Sequence, residues 1–163
     1  MNENSKQFSI IFPTRNRVER LRNLLLSIQR TTKEKKNIEV RIAYDSDDIA
    51  TEDFLSSNSF DFKIITYKCQ RSVNFSEDYY NFMALKCDSK YIWALNDDTE
   101  IITQDWDIYL GDKIEEFLLQ KQTRICYIGI NDDSQDKSNN TPGKRKRETA
   151  GSIKNRGYGY RFF

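Results

Sequence analysis

The chain has 163 residues, of which 37% are hydrophobic and 13% aromatic, a composition that supports one folded domain with a core and argues against wholesale disorder. Lysine and arginine number 26 against 25 aspartate and glutamate residues, giving a net charge of +1, so no charge excess favours nucleic acid as a partner. The absence of histidine disfavours zinc chemistry and the serine–histidine and cysteine–histidine mechanisms of hydrolases.

Cysteine usage and hydropathy predict a cytoplasmic location. Cys69, Cys87 and Cys126 are scattered, without a C-x-x-C pair, and we expect them to be reduced thiols. Residues 1–7 are polar and unlike a signal peptide. No apolar run approaches the ~20 residues that span a bilayer. We therefore expect a cytoplasmic protein without a transmembrane segment.

Hydrophobic periodicity predicts strands and helices that alternate along the chain. Pro13, which has no amide donor, is predicted to end the first strand. Asn74 is predicted to cap the third helix together with Glu77. The predicted strands are 8–12, 38–44, 62–67, 91–95 and 125–130, and the predicted helices are 17–30, 51–55, 76–86 and 104–120. This alternation predicts an α/β fold with a mostly parallel central sheet and helices on both faces.

Polar side chains follow four of the predicted strands. Asp97 and Asp98 come one residue after the apolar strand 91–95, and Asp45 and Asp47 follow strand 38–44. Right-handed crossovers bring the ends of parallel strands to one edge of the sheet, where open α/β sheets bind ligands. Carboxylates there suit Mg²⁺ or Mn²⁺. Charged residues also follow the first and the last predicted strands: Arg15 after the first, and Asp132 and Asp133 after the last.

The first strand and the turn after it resemble the opening of GT-A fold, family-2-type glycosyltransferases. Residues 9–17 form a strand that ends in Pro13-Thr14-Arg15-Asn16-Arg17 and leads into an amphipathic helix. Asp45 resembles the terminal acid of that family's second strand. Asn96-Asp97-Asp98 is similar to its D-x-D-type metal motif. The resemblance covers about residues 8–130.

The resemblance implies a nucleotide-sugar site at the strand exits. Asp45 and Asp47 would contact uracil and ribose, and Asp97 the ribose or the sugar. Asp98 would be catalytic as a ligand of Mn²⁺ or Mg²⁺ on the diphosphate. The nucleotide-binding residues would be Pro13, Thr14, Arg15, Asp45, Asp47, Arg71 and Asp97.

The function implied is transfer of a sugar from a nucleotide-diphosphate donor, with uridine as the expected base, to an acceptor hydroxyl, with inversion. The acceptor is a saccharide, lipid or protein that the sequence does not specify. Asp133 is a weak candidate for the base. A non-catalytic or truncated nucleotide-binding module remains an alternative. A nucleotidyltransferase on a similar sheet is another, although residues 13–17 contain no glycine for a phosphate loop.

Three regions are expected along the chain. Residues 1–131 would form the nucleotide-sugar-binding α/β domain, and residues 132–149, which include a basic run at 144–147, a flexible loop. The aromatic segment 150–163 would pack on the core or begin an acceptor-binding part. In this family the base lies well beyond the fifth strand, so the acceptor half would lie beyond this sequence or be absent.

Overall fold

A computed structural model of the chain describes residues 7–122. Residues up to Glu115 belong to one compact unit, and the stretch from Glu116 to Gln122 belongs to a second. The predicted strand at 125–130, Asp133 and the regions 132–149 and 150–163 lie outside the described residues.

Four strands form the described sheet, and all of them run parallel. Their order is β3-β2-β1-β4, with β1 paired to both β2 and β4. The strands are β1 (Phe8–Thr14), β2 (Ile38–Asp45), β3 (Lys63–Cys69) and β4 (Tyr91–Ala94). The predicted parallel α/β fold is therefore confirmed.

The prediction that Pro13 ends the first strand is wrong, since β1 continues through Pro13 to Thr14 in register with β2. The carbonyl of Ile11 faces β4, because it accepts the amide of Leu95 at 3.0 Å. Successive residues alternate in direction, so Pro13 also faces β4, whose ladder ends opposite Ile11. The carbonyl of Leu95 accepts the Tyr80 hydroxyl at 2.8 Å instead, and the missing proline donor costs the sheet nothing.

A helical segment connects each strand to the next one along the chain, and a further helix follows β4. They are α1 (Val18–Thr31), a short 3₁₀ turn (Lys35–Asn37), α2 (Ile49–Ser57), a π-helical segment (Ser76–Asn81) that continues into α3 (Phe82–Ala84), and α4 (Trp106–Lys121). The predicted α-helix at 76–86 is thus largely π-helical, since the Phe82 amide reaches the carbonyl of Glu77. Helix α4 begins two residues later than predicted, because Asp105 has φ 54°, outside helical backbone geometry.

The two faces of the sheet are covered by different helices. Ile11 and Ala43 pack against Tyr79 and Met83 of the π-helical segment and α3. The alternate residues of β1 face the other way, where α1 contributes side chains with no exposed surface: Leu21, Leu24, Leu25 and Ile28. Helix α2 contacts α1 and lies on the same side, since the crossovers to β2 and then β3 progress in one direction. Helices on both faces are therefore confirmed.

Strand β4 is only half buried, although most of its side chains are large and apolar. Trp93 packs on Trp106, with ring centroids 4.8 Å apart, whereas Ile92 is 46% exposed. Among the described strands β4 lies at the edge of the sheet, and one of its faces has little cover. No helix within residues 7–122 is long and apolar enough to cross a membrane.

The chain order defines where a ligand crevice forms. From β1 the chain moves outward to β2 and β3, and then returns to place β4 on the opposite side of β1. The carboxyl ends of β1 and β4 therefore flank the topological switch point, which is where open α/β sheets bind ligands.

Candidate functional site

The turn between β1 and α1 presents two arginines at the carboxyl edge of the sheet. Thr14 is the buried last residue of β1, and Arg15 and Arg17 follow it. Between them Asn16 has φ 51°, a left-handed conformation that asparagine tolerates better than most residues. The Asn16 amide donates to Asp48 at 2.7 Å, which ties this turn to the exit of β2.

Arg15 binds both aspartates predicted at the exit of β2. Its guanidinium contacts Asp45 and reaches the two carboxylate oxygens of Asp47 at 2.7 and 3.0 Å. Hydrogen bonds from Arg15 lower the pKa of Asp47, and the same contacts raise the pKa of Arg15. The Asp45 side chain is only 5% exposed, whereas that of Asp47 is 62% exposed. Asp45 is therefore the fixed member of this cluster.

A tyrosine holds the second oxygen of Asp45. The Tyr79 hydroxyl donates to Asp45 Oδ1, and it accepts the backbone amide of Ser72 at 3.0 Å. Burial, followed by the hydrogen bond to Asp45, raises the pKa of Tyr79, so the hydroxyl stays protonated at neutral pH. Tyr79 lies four residues before Met83, a helical spacing typical of core residues, and no sequence signal distinguishes it from a packing residue.

Asp97 joins the exits of β4 and β1 across the switch point. Its Oδ2 accepts the Thr14 hydroxyl at 2.9 Å and its Oδ1 accepts Arg17 at 3.0 Å. The side chain is 5% exposed. Both oxygens of this buried carboxylate have donors, as a buried charge requires.

Asp98 differs from Asp97 in exposure and in the strength of its contacts. Its side chain is 51% exposed and accepts a single hydrogen bond from Arg20, at 3.3 Å. An ion pair between two exposed side chains contributes only about 0–1 kcal/mol. A ligand could therefore displace Arg20 from Asp98 at small cost.

Arg71 lies beyond β3, on the same edge as Asp47, and is exposed. Its charge contributes to the lowered pKa of Asp47. A surface cavity of about 420 Å³ opens beside the start of α1. The cavity is lined by Asn16, Arg17, Val18, Glu19, Arg20 and Ala50.

The donor set limits how a metal could bind. Within residues 7–122 no three carboxylate or cysteine side chains are grouped to hold a metal ion. Asp97 is 5% exposed and already paired with Arg17, whereas Asp98 is 51% exposed, which makes Asp98 the more accessible carboxylate of the two. Mg²⁺ commonly binds through one or two carboxylates and completes its shell with water and substrate phosphates. The residues present therefore fit a metal that arrives with a diphosphate.

The structure brings most of the predicted site residues to one edge: Pro13, Thr14, Arg15, Asp45, Asp47, Asp97 and Asp98. Asp133 lies outside the described residues, and the assigned roles stay predictions. Sequence reasoning missed Tyr79 and the roles of Arg17 and Arg20 as partners of the acids. The arginines carried a signal, since positive charge at a helix start opposes the helix dipole and calls for nearby anions.

Known structures with the same architecture are crystal structures of TarS from S. aureus. TarS 1-349 matches with a TM-score of 0.55 and 19% identity, over 68% of this chain and 32% of that one. Its complex with UDP matches with a TM-score of 0.53 and 20% identity, over 68% and 32%. Its complex with UDP-GlcNAc matches with a TM-score of 0.50 and 18% identity, over 68% and 31%.

Sequence comparison adds no assignment, because no family model and no curated protein matches the chain. The chain spans about a third of the length of TarS 1-349. TarS is a GT-A glycosyltransferase of family 2. With its parallel sheet, its switch point between β1 and β4 and its helices on both faces, this chain has the GT-A fold of those glycosyltransferases.

Proposed function

We propose that this chain forms the donor-binding part of a glycosyltransferase that moves a sugar from a nucleotide diphosphate, a UDP-sugar, to an acceptor hydroxyl. The observation that carries the proposal is the meeting of three strand ends at the carboxyl edge of the sheet, around the switch point. Thr14 and Asp97 are joined there across β1 and β4, and Arg15 is joined to Asp45 across β1 and β2.

The charges at this edge suit the two halves of such a donor. A carboxylate such as Asp45 accepts hydrogen bonds only, so it favours a base that offers a ring N–H, as uracil does. Guanidinium groups recognise phosphate oxygens, and Arg17 and Arg20 stand beside the acids at the exit of β4. TarS, which shares the fold, was crystallised with UDP and with UDP-GlcNAc, in line with a uridine donor.

Asp98 is the residue we assign to a divalent metal, Mn²⁺ or Mg²⁺, held together with the diphosphate. Such an ion stabilises the negative charge that develops on the leaving diphosphate without proton transfer. Asp97 would keep Arg17 and Thr14 in place and contact the ribose or the sugar. The acceptor hydroxyl would attack with help from a carboxylate base, for which Asp133 is our weak candidate, with inversion at the sugar.

A donor-binding module without turnover is the second candidate. It is favoured by one observation: the matched part of this chain covers about a third of TarS 1-349. Both candidates predict nucleotide binding, and only the transferase predicts sugar release or transfer in the presence of an acceptor.

The test is thermal unfolding of the wild type and of Asp98→Ala with UDP, with Mn²⁺, with both and with neither. Ligand at 100 times its Kd adds about 2.7 kcal/mol, a shift of roughly 5–10 °C for a protein of this size. We expect the full shift in the wild type only when UDP and Mn²⁺ are both present. Asp98→Ala should unfold near the wild-type temperature without ligand, because Asp98 is exposed and weakly paired, and should lose the metal-dependent part of the shift.

The matched control is Asp61→Ala, which removes an exposed aspartate just before β3, at the opposite edge of the sheet. This variant should shift as the wild type does. A wild type that no nucleotide stabilises would refute donor binding by this chain. A shift in Asp98→Ala equal to that of the wild type would refute the metal assignment alone.

A further inference from the structure

Tyr79 occupies a position that packing alone does not explain. Its ring lies in the small core with Ile11, Ala43 and Met83, and the residue is 3% exposed. Phenylalanine would fill that space equally well. The hydroxyl adds two contacts, to Asp45 and to the amide of Ser72, and it thereby joins the end of β2 to the segment after β3.

The segment after β3 is built to present this hydroxyl. The Ser72 hydroxyl donates to Asp78 and accepts the Asn74 amide at 2.9 Å. The Asn74 side chain accepts the amide of Glu77 at 3.4 Å and donates to its carboxylate at 2.9 Å. The predicted capping box is therefore only half formed, because the Asn74 backbone amide donates to Ser72 and not to Glu77. The π-helical turns that follow are rare and occur frequently at functional sites.

The two oxygens of Asp45 are bound by side chains from two different segments, the turn after β1 and the π-helical segment. Arg15 binds Oδ2 and Tyr79 binds Oδ1, which fixes the plane of the carboxylate. A carboxylate has about four acceptor positions, so two remain for a ligand. An acceptor fixed in this way distinguishes a base that presents an N–H from one that presents a lone pair. The N–H can donate to the carboxylate oxygen, whereas the lone pair is repelled by it.

We propose that Tyr79 is a positioning residue that sets base selectivity by orienting Asp45 toward the ring N–H of a uracil. The role rests on the proposed function, since it needs a nucleotide at this edge. It concerns the hydroxyl only, because the ring is already accounted for by the core.

The test compares Tyr79→Phe with Tyr67→Phe in titrations of the whole chain with UDP and with CDP in Mn²⁺. Tyr67 also lies on this face of the sheet, and its hydroxyl accepts Arg41 at 2.6 Å, away from the strand exits. Loss of a hydrogen bond to a charged group should weaken UDP binding by Tyr79→Phe about tenfold, which corresponds to ~1.4 kcal/mol. CDP binding should change little, so the preference for UDP over CDP should fall about tenfold as well.

Tyr67→Phe should keep both the UDP affinity and the preference within about twofold, since a hydroxyl remote from the ligand acts on stability only. Asp45→Asn provides a second measurement. If Tyr79 acts through Asp45, the double variant should bind UDP no more weakly than Asp45→Asn alone.

The outcomes separate the two proposals. If the wild type binds UDP while Tyr79→Phe keeps the wild-type affinity and preference, the role of Tyr79 is refuted and donor binding stands. Additive losses in the double variant also refute it. If the wild type binds neither UDP nor CDP, donor binding fails, and the role of Tyr79 fails with it.

Discussion

Asp48 ties the turn that carries Arg15 and Arg17 to helix α2, and its removal should destabilise the protein. The residue is 2% exposed. Its Oδ1 caps α2 by accepting the Thr51 amide at 3.1 Å, and its Oδ2 accepts the Thr51 hydroxyl at 2.6 Å and the Asn16 amide at 2.7 Å.

The size of the loss in Asp48→Ala follows from these three bonds. A helix cap contributes about 0.5–2 kcal/mol, and a hydrogen bond to a charged group about 1.5–3 kcal/mol. The bonds share one carboxylate and do not add fully, so we expect a loss of about 2–4 kcal/mol. At roughly 2–4 °C per kcal/mol for a protein of this size, the midpoint should fall by about 4–16 °C.

The assay is urea unfolding followed by far-UV circular dichroism, with thermal scans as a second readout. Asp53→Ala is the matched control, because Asp53 is an exposed aspartate of the same helix, and it should lose less than about 0.5 kcal/mol. Asp48→Asn should fall between the two, since asparagine caps helices well but its amide group opposes the Asn16 N–H. A loss below about 1 kcal/mol in Asp48→Ala would show that this carboxylate does not hold the turn.

Two further predictions concern pH and stability. Arg15 lowers the pKa of Asp47 from its ordinary value of 3.8, so the contribution of this pair to stability is present above pH 3.8 and is lost as the pH falls. Asp47→Asn should therefore lose less stability than the wild type between pH 3.8 and lower pH, as measured by urea unfolding. An equal loss in the two proteins would contradict the pairing. Burial raises the pKa of Glu39, but hydrogen bonds from Ser9 and Arg41 outweigh it and lower the pKa below 4.5. Glu39→Ala leaves the buried Arg41 without its carboxylate and should cost about 3–5 kcal/mol at neutral pH, measured by urea unfolding. This cost should begin to shrink as the pH falls below 4.5 and should be lost as the pH passes the lowered pKa of Glu39, where the folded wild type also loses the charge. A pH-independent cost would count against the ion pair.

Local sequence patterns predicted the elements well where one physical signal dominated. The leucine and isoleucine stripe of α1 and the apolar runs of β1 and β2 matched the observed elements to within two residues, because periodicity reflects which face is buried. The Asn74 cap was also predictable, since capping is a contact between near neighbours.

Signals failed where the outcome depended on a distant partner. Whether Pro13 ends β1 depends on how far β4 extends beside it, and whether β4 is fully buried depends on its place in the sheet. The π-helical segment that carries Tyr79 packs against Ile11 and Ala43, which lie on two strands far from it in the sequence. A short stretch of sequence contains no information about any of these contacts, because the partners are far apart along the chain.

The sequence by itself determined the alternation of strands and helices, the parallel sheet and the identity of the polar residues at the strand exits. Tertiary structure alone decided their pairing: Asp97 is buried against Thr14 and Arg17, whereas the adjacent Asp98 is exposed beside Arg20. The physical reason is that the two aspartates are the central residues of a turn, closed by the Thr99 amide on the Asn96 carbonyl, and their side chains leave the backbone in different directions. Which one meets the neighbouring strand is set by the order of strands around β1.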